Sequence, residues 1–180
     1  QYGTQFGGLI NFKLKKPDPI KPFTFLTRNT LGSNKLLTNF SLVSGSLEKF
    51  KYIGFINLKK GDGFRPNSEF NSSNIFFQLG YDFSNDTSIT AEVTYLDYLT
   101  QQAGGLSDRM FEENPYQSNR SRNWFALSWF LYNLKFEHSF NSNSNISLNL
   151  FGLDAQRNAI GFRSNRVSQI DSNQERDLIK

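Results

Sequence analysis

Along most of this chain, side chains alternate between apolar and polar at every residue, and small polar clusters cut the alternation into segments of roughly ten. Ile75, Phe77, Leu79, Tyr81 and Phe83 share one parity. Phe76, Gln78, Gly80, Asp82 and Ser84 share the other, with Phe76 the exception. Successive side chains of a strand point to opposite faces, so such a segment is greasy on one face and wet on the other. The same division separates Phe130, Tyr132, Leu134, Phe136 and Phe140 from Asn133, Lys135, Glu137 and Ser139. It also separates Ile89, Ala91, Val93 and Tyr95 from Thr90, Glu92 and Thr94. Period two over these lengths specifies strands, and the chain reads as all-β.

Length then separates two all-β classes. Strands of a soluble sandwich run to about five or six residues, whereas a strand crossing a bilayer needs about nine to eleven, apolar toward lipid and polar toward the lumen. The segments here match the second class. Phe and Tyr supply 19 and 7 of the 180 residues, and Tyr52, Tyr81, Tyr95, Trp124 and Phe140 fall near segment ends, where aromatic girdles belong. A mean hydropathy of -0.52 with no run of eighteen apolar residues excludes a helical span. The expected fold is therefore a transmembrane antiparallel β-barrel.

Residue usage narrows the chemistry. The absence of Cys excludes a disulfide framework and a thiolate metal site. The net charge of +4 is spread among acidic residues rather than gathered in a stripe, which argues against a nucleic-acid partner. Serine-type acyl transfer needs a base beside its nucleophile. The single histidine, His138, lies on the apolar parity near a short turn, so a structural role is expected and an enzyme is not. Gly61-Asp62-Gly63-Phe64 lacks the Lys and helix of a phosphate loop.

Residues 1–16 differ from the rest: they carry the Gly3, Gly7 and Gly8 glycines before a short alternating stretch closed by Pro17. Gly7 and Gly8 read as sites of close backbone packing. Residues 17–22, with three prolines, form a stiff connector, and 23–180 form the strand-bearing part. About seven strands are expected, at 23–32, 35–46, 50–60, 73–84, 87–99, 123–140 and 145–157. Short connectors at 46–49, 84–87 and 141–145 alternate with long ones at 61–72, 100–122 and 158 onward. The short hairpin near Leu31–Asn34 is the exception. In transmembrane barrels short turns face the periplasm and long loops the medium. With no signal peptide ahead of Gln1 and a polar stretch before Lys180, the chain is expected to be an internal fragment of a longer protein, and on its own its unclosed sheet, with an unpaired edge in lipid, is expected to aggregate.

Tyr2-Gly3, Gly7-Gly8, Ile10-Asn11 and the Lys-rich strand after them resemble the end of the plug domain in TonB-dependent outer-membrane receptors. The remainder resembles the start of their barrel. Tyr98-Leu99, Gln101-Gln102, Gly104-Gly105-Leu106, Asn114-Pro115, Gln117-Ser118-Asn119-Arg120 and Arg122-Asn123-Trp124-Phe125 resemble the ferric dicitrate branch of that family. The resemblance implies a plugged barrel of roughly 22 strands, of which about seven are present. It implies an outer-membrane importer of a ferric chelate, citrate or another siderophore. Iron travels in the chelate, so no cofactor is expected. The implied partners are the chelate, outer-membrane lipid and an inner-membrane TonB complex engaged through a preceding N-terminal region. The same architecture importing a glycan or cobalamin, or a passive porin or adhesin barrel, are the alternatives.

Substrate contact is expected in the loop from Thr100 to Asn123, through Gln101, Gln102, Arg109, Arg120 and Arg122. A planar guanidinium donates two bonds to one carboxylate, which suits a carboxylate-rich chelate. Asp108, Glu112 and Glu113 share the loop, so pairing of these arginines with their own neighbours is the competing reading. Arg157, Arg163 and Arg166 form a second basic group, suited equally to lipopolysaccharide phosphates. Lumen-facing Arg28, Lys59, Lys135 and Glu137 read as wall polarity.

Overall fold

The computed structural model describes residues 14–161, together with a turn at Gly7 and the backbone of a short strand at Leu178–Ile179. One antiparallel sheet contains every strand among the described residues, each paired with its sequence neighbours: β1 (Thr24–Leu31), β2 (Leu37–Leu47), β3 (Phe50–Gly61), β4 (Phe70–Asp82), β5 (Thr87–Gln101), β6 (Trp124–Asn141), β7 (Ser144–Ile160) and β8 (Leu178–Ile179). The seven expected strands form with ends shifted by a few residues, and the two-residue β8 is an addition. A single short helix, α1 (Asp108–Glu113), interrupts the β5–β6 loop. The plug-end reading of residues 1–16 lies almost entirely outside the described residues.

Register fixes the faces. Across the central pairs Ile56, Ile75, Tyr95 and Phe130 align in one row, and Phe50, Tyr81, Ile89 and Phe136 in another. Most of these side chains are exposed, Phe50 at 48% and Ile56 at 44%. The opposite face is enclosed: Leu42 is 8% exposed, Ile53 4% and Phe76 6%. Crowding on one face and exposure on the other is what inward curling of a twisted sheet produces. Phe76 therefore lies on the inner face, and Ile75, Phe77, Leu79 and Tyr81 on the outer.

The outer apolar parity runs from Ile75 in β4 to Phe83, just past the end of the strand. Eight steps of about 3.4 Å give about 27 Å of strand, or roughly 21 Å of height at a tilt of about 40°, close to the ~25 Å apolar band of such barrels. Above it the outer face turns polar at Asn39, Ser73, Asp97 and Ser128, which align with one another through Leu58. The strands thus outrun the apolar band toward the long-loop rim. Tyr95, expected near a strand end, sits inside β5 for that reason and marks the upper edge of the band instead. Three outer-face glycines lie opposite aromatic partners: Gly45 opposite Tyr52, Gly54 opposite Phe77 and Gly152 opposite Tyr132. At Gly152 the Tyr132 ring occupies the space a Cβ would take, at Gly54 the Phe77 ring closes to within 3.0 Å of it, and at Gly45 the Pro22 carbonyl fills it beside the Tyr52 hydroxyl, so in the Gly152 and Gly54 pairs the aromatic covers backbone that glycine leaves bare. Tyr52 also donates from its hydroxyl to the Pro22 carbonyl at 2.9 Å, tying the proline connector to the wall.

Connector lengths follow the expected alternation. On one rim the turns are short: Glu48-Lys49 closes β2–β3, with Glu48 at φ 51°. Phe83–Asp86 closes β4–β5, with the Ser84 hydroxyl accepting from the Asp86 N–H. Ser142-Asn143 closes β6–β7, with Asn141 Oδ1 accepting from the Asn143 N–H. His138 sits at this rim on the outer face, its Nδ1 2.8 Å from the Thr87 hydroxyl and its ring edge-on to Phe140 at 4.5 Å. These contacts give it the structural role expected.

Candidate functional site

Following the inner-face registers from rim to rim gives three zones. Nearest the short turns the wall is charged but internally paired: Lys51 bonds Asp82, Lys135 lies 2.6 Å from Glu137, and Glu92 accepts from both Gln78 (2.9 Å) and Asn133 (3.2 Å). Lys135 and Glu137 are thus wall polarity, as expected. In the middle is an apolar belt of Leu42, Phe55, Phe76 and Leu131, aligned across four strands through Thr94. Phe40, Phe55 and Phe76 form a run of rings with centroids 5.5 and 5.3 Å apart. Contacts of this kind add about 0.5–1.5 kcal/mol each beyond area burial.

The third zone, toward the long loops, is cationic. One row holds Arg28, Phe40, Asn57, Asn74, Leu96 and Trp129, and the next holds Thr30, Thr38, Lys59, Ser72, Tyr98, Leu127 and Arg157. Neither row contains a carboxylate. Arg28, Lys59 and Arg157 are exposed, and among the described residues Arg28 and Lys59 join no ion pair. Arg157 lies over the Phe125 ring at 5.2 Å, a cation–π contact that leaves its N–H donors available. Between these cations, Asn74 Oδ1 and Trp129 Nε1 are buried with no partner among the described residues. Buried polar atoms are nearly always satisfied, so these two stand out on this face. Sequence reasoning took Arg28 and Lys59 as wall polarity. What singles them out is the absence of acid across seven neighbouring strands, which only register reveals.

The five loop residues expected to touch substrate are placed differently. Arg109 lies on α1 and faces Glu113 at 3.7 Å, both highly exposed; a solvated i,i+4 pair is worth only a few tenths of a kcal/mol. Arg120 is 5% exposed and donates to the Asn119 carbonyl at 2.7 Å; desolvation lowers its pKa. Gln101 donates from its side chain to the Ser121 carbonyl at 2.7 Å, and the Gln102 N–H donates to the Asn123 carbonyl at 2.8 Å, so together they close the neck of the loop. Arg122 is half-buried at that neck. Arg109 thus has an acidic neighbour on its own helix, and Arg120 braces the loop from inside. Arg163 and Arg166 lie outside the described residues.

The loop itself is a packed unit. Ala103, Met110, Asn119 and Arg120 are buried within it, the Ser107 hydroxyl caps α1 by accepting from the Met110 N–H, and Asn119 donates to the Gly105 carbonyl at 2.7 Å. A residue that sequence reasoning passed over docks it to the β3–β4 loop. Arg65 donates to the Gly104 carbonyl at 2.7 Å and to the Gln117 carbonyl at 3.4 Å. Asn67 donates to the Ser118 hydroxyl at 3.1 Å, and Phe64 meets Tyr116 at 4.9 Å. The β1–β2 hairpin joins the same rim, with Lys35 2.7 Å from Asp62 and its pKa raised by that hydrogen bond and charge.

No family model matches the chain, and no curated protein matches it. Among solved structures, the ferric citrate transporter FecA in its unliganded form superposes with a TM-score of 0.67 at 16% identity, over 79% of this chain and 22% of that one. The fold is that of a segment of β-barrel wall. This chain thus spans about a fifth of the matched protein, and at that identity the likeness establishes architecture. No helix among the described residues is long and apolar enough to cross a membrane.

Proposed function

We propose that this chain is the first part of the barrel of a TonB-dependent outer-membrane receptor that imports a ferric chelate, ferric citrate or another siderophore. The observation that carries the reading is the acid-free cationic zone of Arg28, Lys59 and Arg157 on the inner face, above an apolar belt and a self-paired polar zone. A cleft lined by one sign of charge concentrates the opposite sign, and guanidinium groups suit carboxylate-rich anions. The superposition on a ferric citrate transporter supports the same architecture. On this reading the long-loop rim faces the medium, the short-turn rim the periplasm, and the outer apolar band the lipid. Residues 1–16 end a plug, and a region before them engages the inner-membrane TonB complex. Iron enters as cargo inside its chelate, and the wall contributes charge and shape to transport.

The test is chelate binding by the purified full-length receptor, wild type against Arg28→Glu/Lys59→Glu. Loss of ferric citrate binding in the double variant, with barrel folding retained by heat-modifiable gel mobility, supports the reading. Equal binding by both refutes the assignment of these residues. Binding of a glycan or cobalamin in place of any ferric chelate refutes the substrate class.

A further inference from the structure

A cavity of about 620 Å³ opens on the long-loop rim, outside the inner-face zone, lined by Phe64, Arg65, Leu106, Ser107, Asp108, Phe111, Glu112 and Pro115. Three observations about it converge. Its walls are fixed, because the two loops that form it are fastened by Arg65, by Asn67 to Ser118 and by the Phe64–Tyr116 contact. Its rings are bare: Phe64 is 64% exposed, Phe111 60% and the adjoining Tyr116 56%. Apolar side chains held open to solvent on a rigid support are uncommon outside recognition surfaces. Its polar lining mixes both kinds of hydrogen-bonding group. Asp108 and Glu112, one turn apart on α1, present acceptors, while Arg65 keeps N–H donors beyond the two that hold the loop carbonyls.

We infer that this cavity is a binding site for a neutral carbohydrate, one or two hexopyranose rings of a surface glycan. A sugar ring offers an apolar C–H face for Phe64 or Phe111 and vicinal hydroxyls that both donate and accept, which is the combination the lining supplies. The volume lies within the range of small-molecule pockets. Two carboxylates against one guanidinium disfavour an anionic chelate here, so the site is separate from the cationic inner face. An organic cation would meet the carboxylates and rings but leave the Arg65 N–H donors without an acceptor.

The experiment is an array of neutral oligosaccharides built from glucose, galactose, mannose and N-acetylglucosamine, probed with the detergent-purified full-length protein. Calorimetry on the best binder then compares wild type, Phe111→Ala and Glu112→Gln. Both positions are exposed, so the variants should retain the wild-type heat-modifiable mobility. The expected result is binding that weakens at least tenfold in each variant while ferric citrate binding is unchanged. No neutral glycan bound, or the same affinity in both variants, or choline bound in place of any sugar, overturns the inference. The outcome is independent of whether the inner face takes a ferric chelate, because the two ligands are measured separately.

Discussion

Replacing Arg65 by Ala should release the β5–β6 loop from its neighbour without disturbing the barrel wall. The guanidinium makes one well-formed bond, at 2.7 Å to the Gly104 carbonyl, and one long bond, at 3.4 Å to the Gln117 carbonyl. A half-buried hydrogen bond from a charged donor contributes about 1.5–3 kcal/mol. The second, near the distance limit, adds little, so docking should weaken by about 2–3 kcal/mol. Asn67 and Phe64 still hold the loop, which makes this a change in opening equilibrium rather than a collapse. At about 1.4 kcal/mol per tenfold, the open population should rise roughly 30- to 150-fold. When opening is fast compared with cleavage, proteolysis follows that population. Limited trypsin digestion of the full-length protein in outer-membrane vesicles, followed at the bonds after Arg109 and Arg122 by mass spectrometry, reads it directly. Arg65→Lys should behave nearly as Ala does, since an ammonium cannot span two carbonyls with a planar fork. Cleavage in both variants at the wild-type rate would show that the Arg65 bonds do not hold the loop down.

Gly152→Val should drive Tyr132 out of its position over the backbone and slow barrel folding into detergent micelles, whereas Gly105→Ala, with open space around it, should be neutral. Phe76→Ala, which removes the most enclosed ring of the inner belt, should cost about 3–5 kcal/mol in urea unfolding of the full-length barrel; a cost below about 1 kcal/mol would show that the belt is not packed. Glu48→Gly should stabilise by up to about 1 kcal/mol, since Glu48 holds a positive φ in a two-residue hairpin where glycine has no steric penalty.

Seven strands were legible because two environments, lipid and lumen, force opposite chemistry on successive residues. From Ile75 in β4 to Phe83 just past its end, the forcing runs unbroken on the outer parity. The same logic made Phe76 look like an exception, because an apolar belt inside the lumen cannot be told from lipid-facing surface along one strand. It becomes visible only when Leu42, Phe55 and Leu131 are aligned with it across the sheet. Register also decides the site. Arg28, Lys59 and Arg157 are far apart in sequence and each is ordinary beside its own neighbours, whereas Arg109, Arg120 and Arg122 cluster in sequence and so attracted attention. The structure gives Arg109 a surface partner and turns Arg120 into the loop's own packing. Arg65 left no trace in the pattern, since a side chain that bonds carbonyls needs no particular residue opposite it. The helix α1 escaped because a helix of six residues has no period to read; its one sequence signal was Ser107 as an N-cap before acidic Asp108.

The most direct test of the account is single-cysteine scanning along β4 in the full-length protein held in native outer membranes, which the absence of any native Cys in this chain makes simple. Cysteines at 75, 77, 79 and 81 should be quenched by lipid-phase probes and resist a water-soluble maleimide. Cysteines at 72, 74, 78 and 80 should show the reverse. Strict alternation with period two confirms a membrane wall with Phe76 and the cationic zone inside. Uniform reactivity with the water-soluble reagent at all eight positions would contradict it.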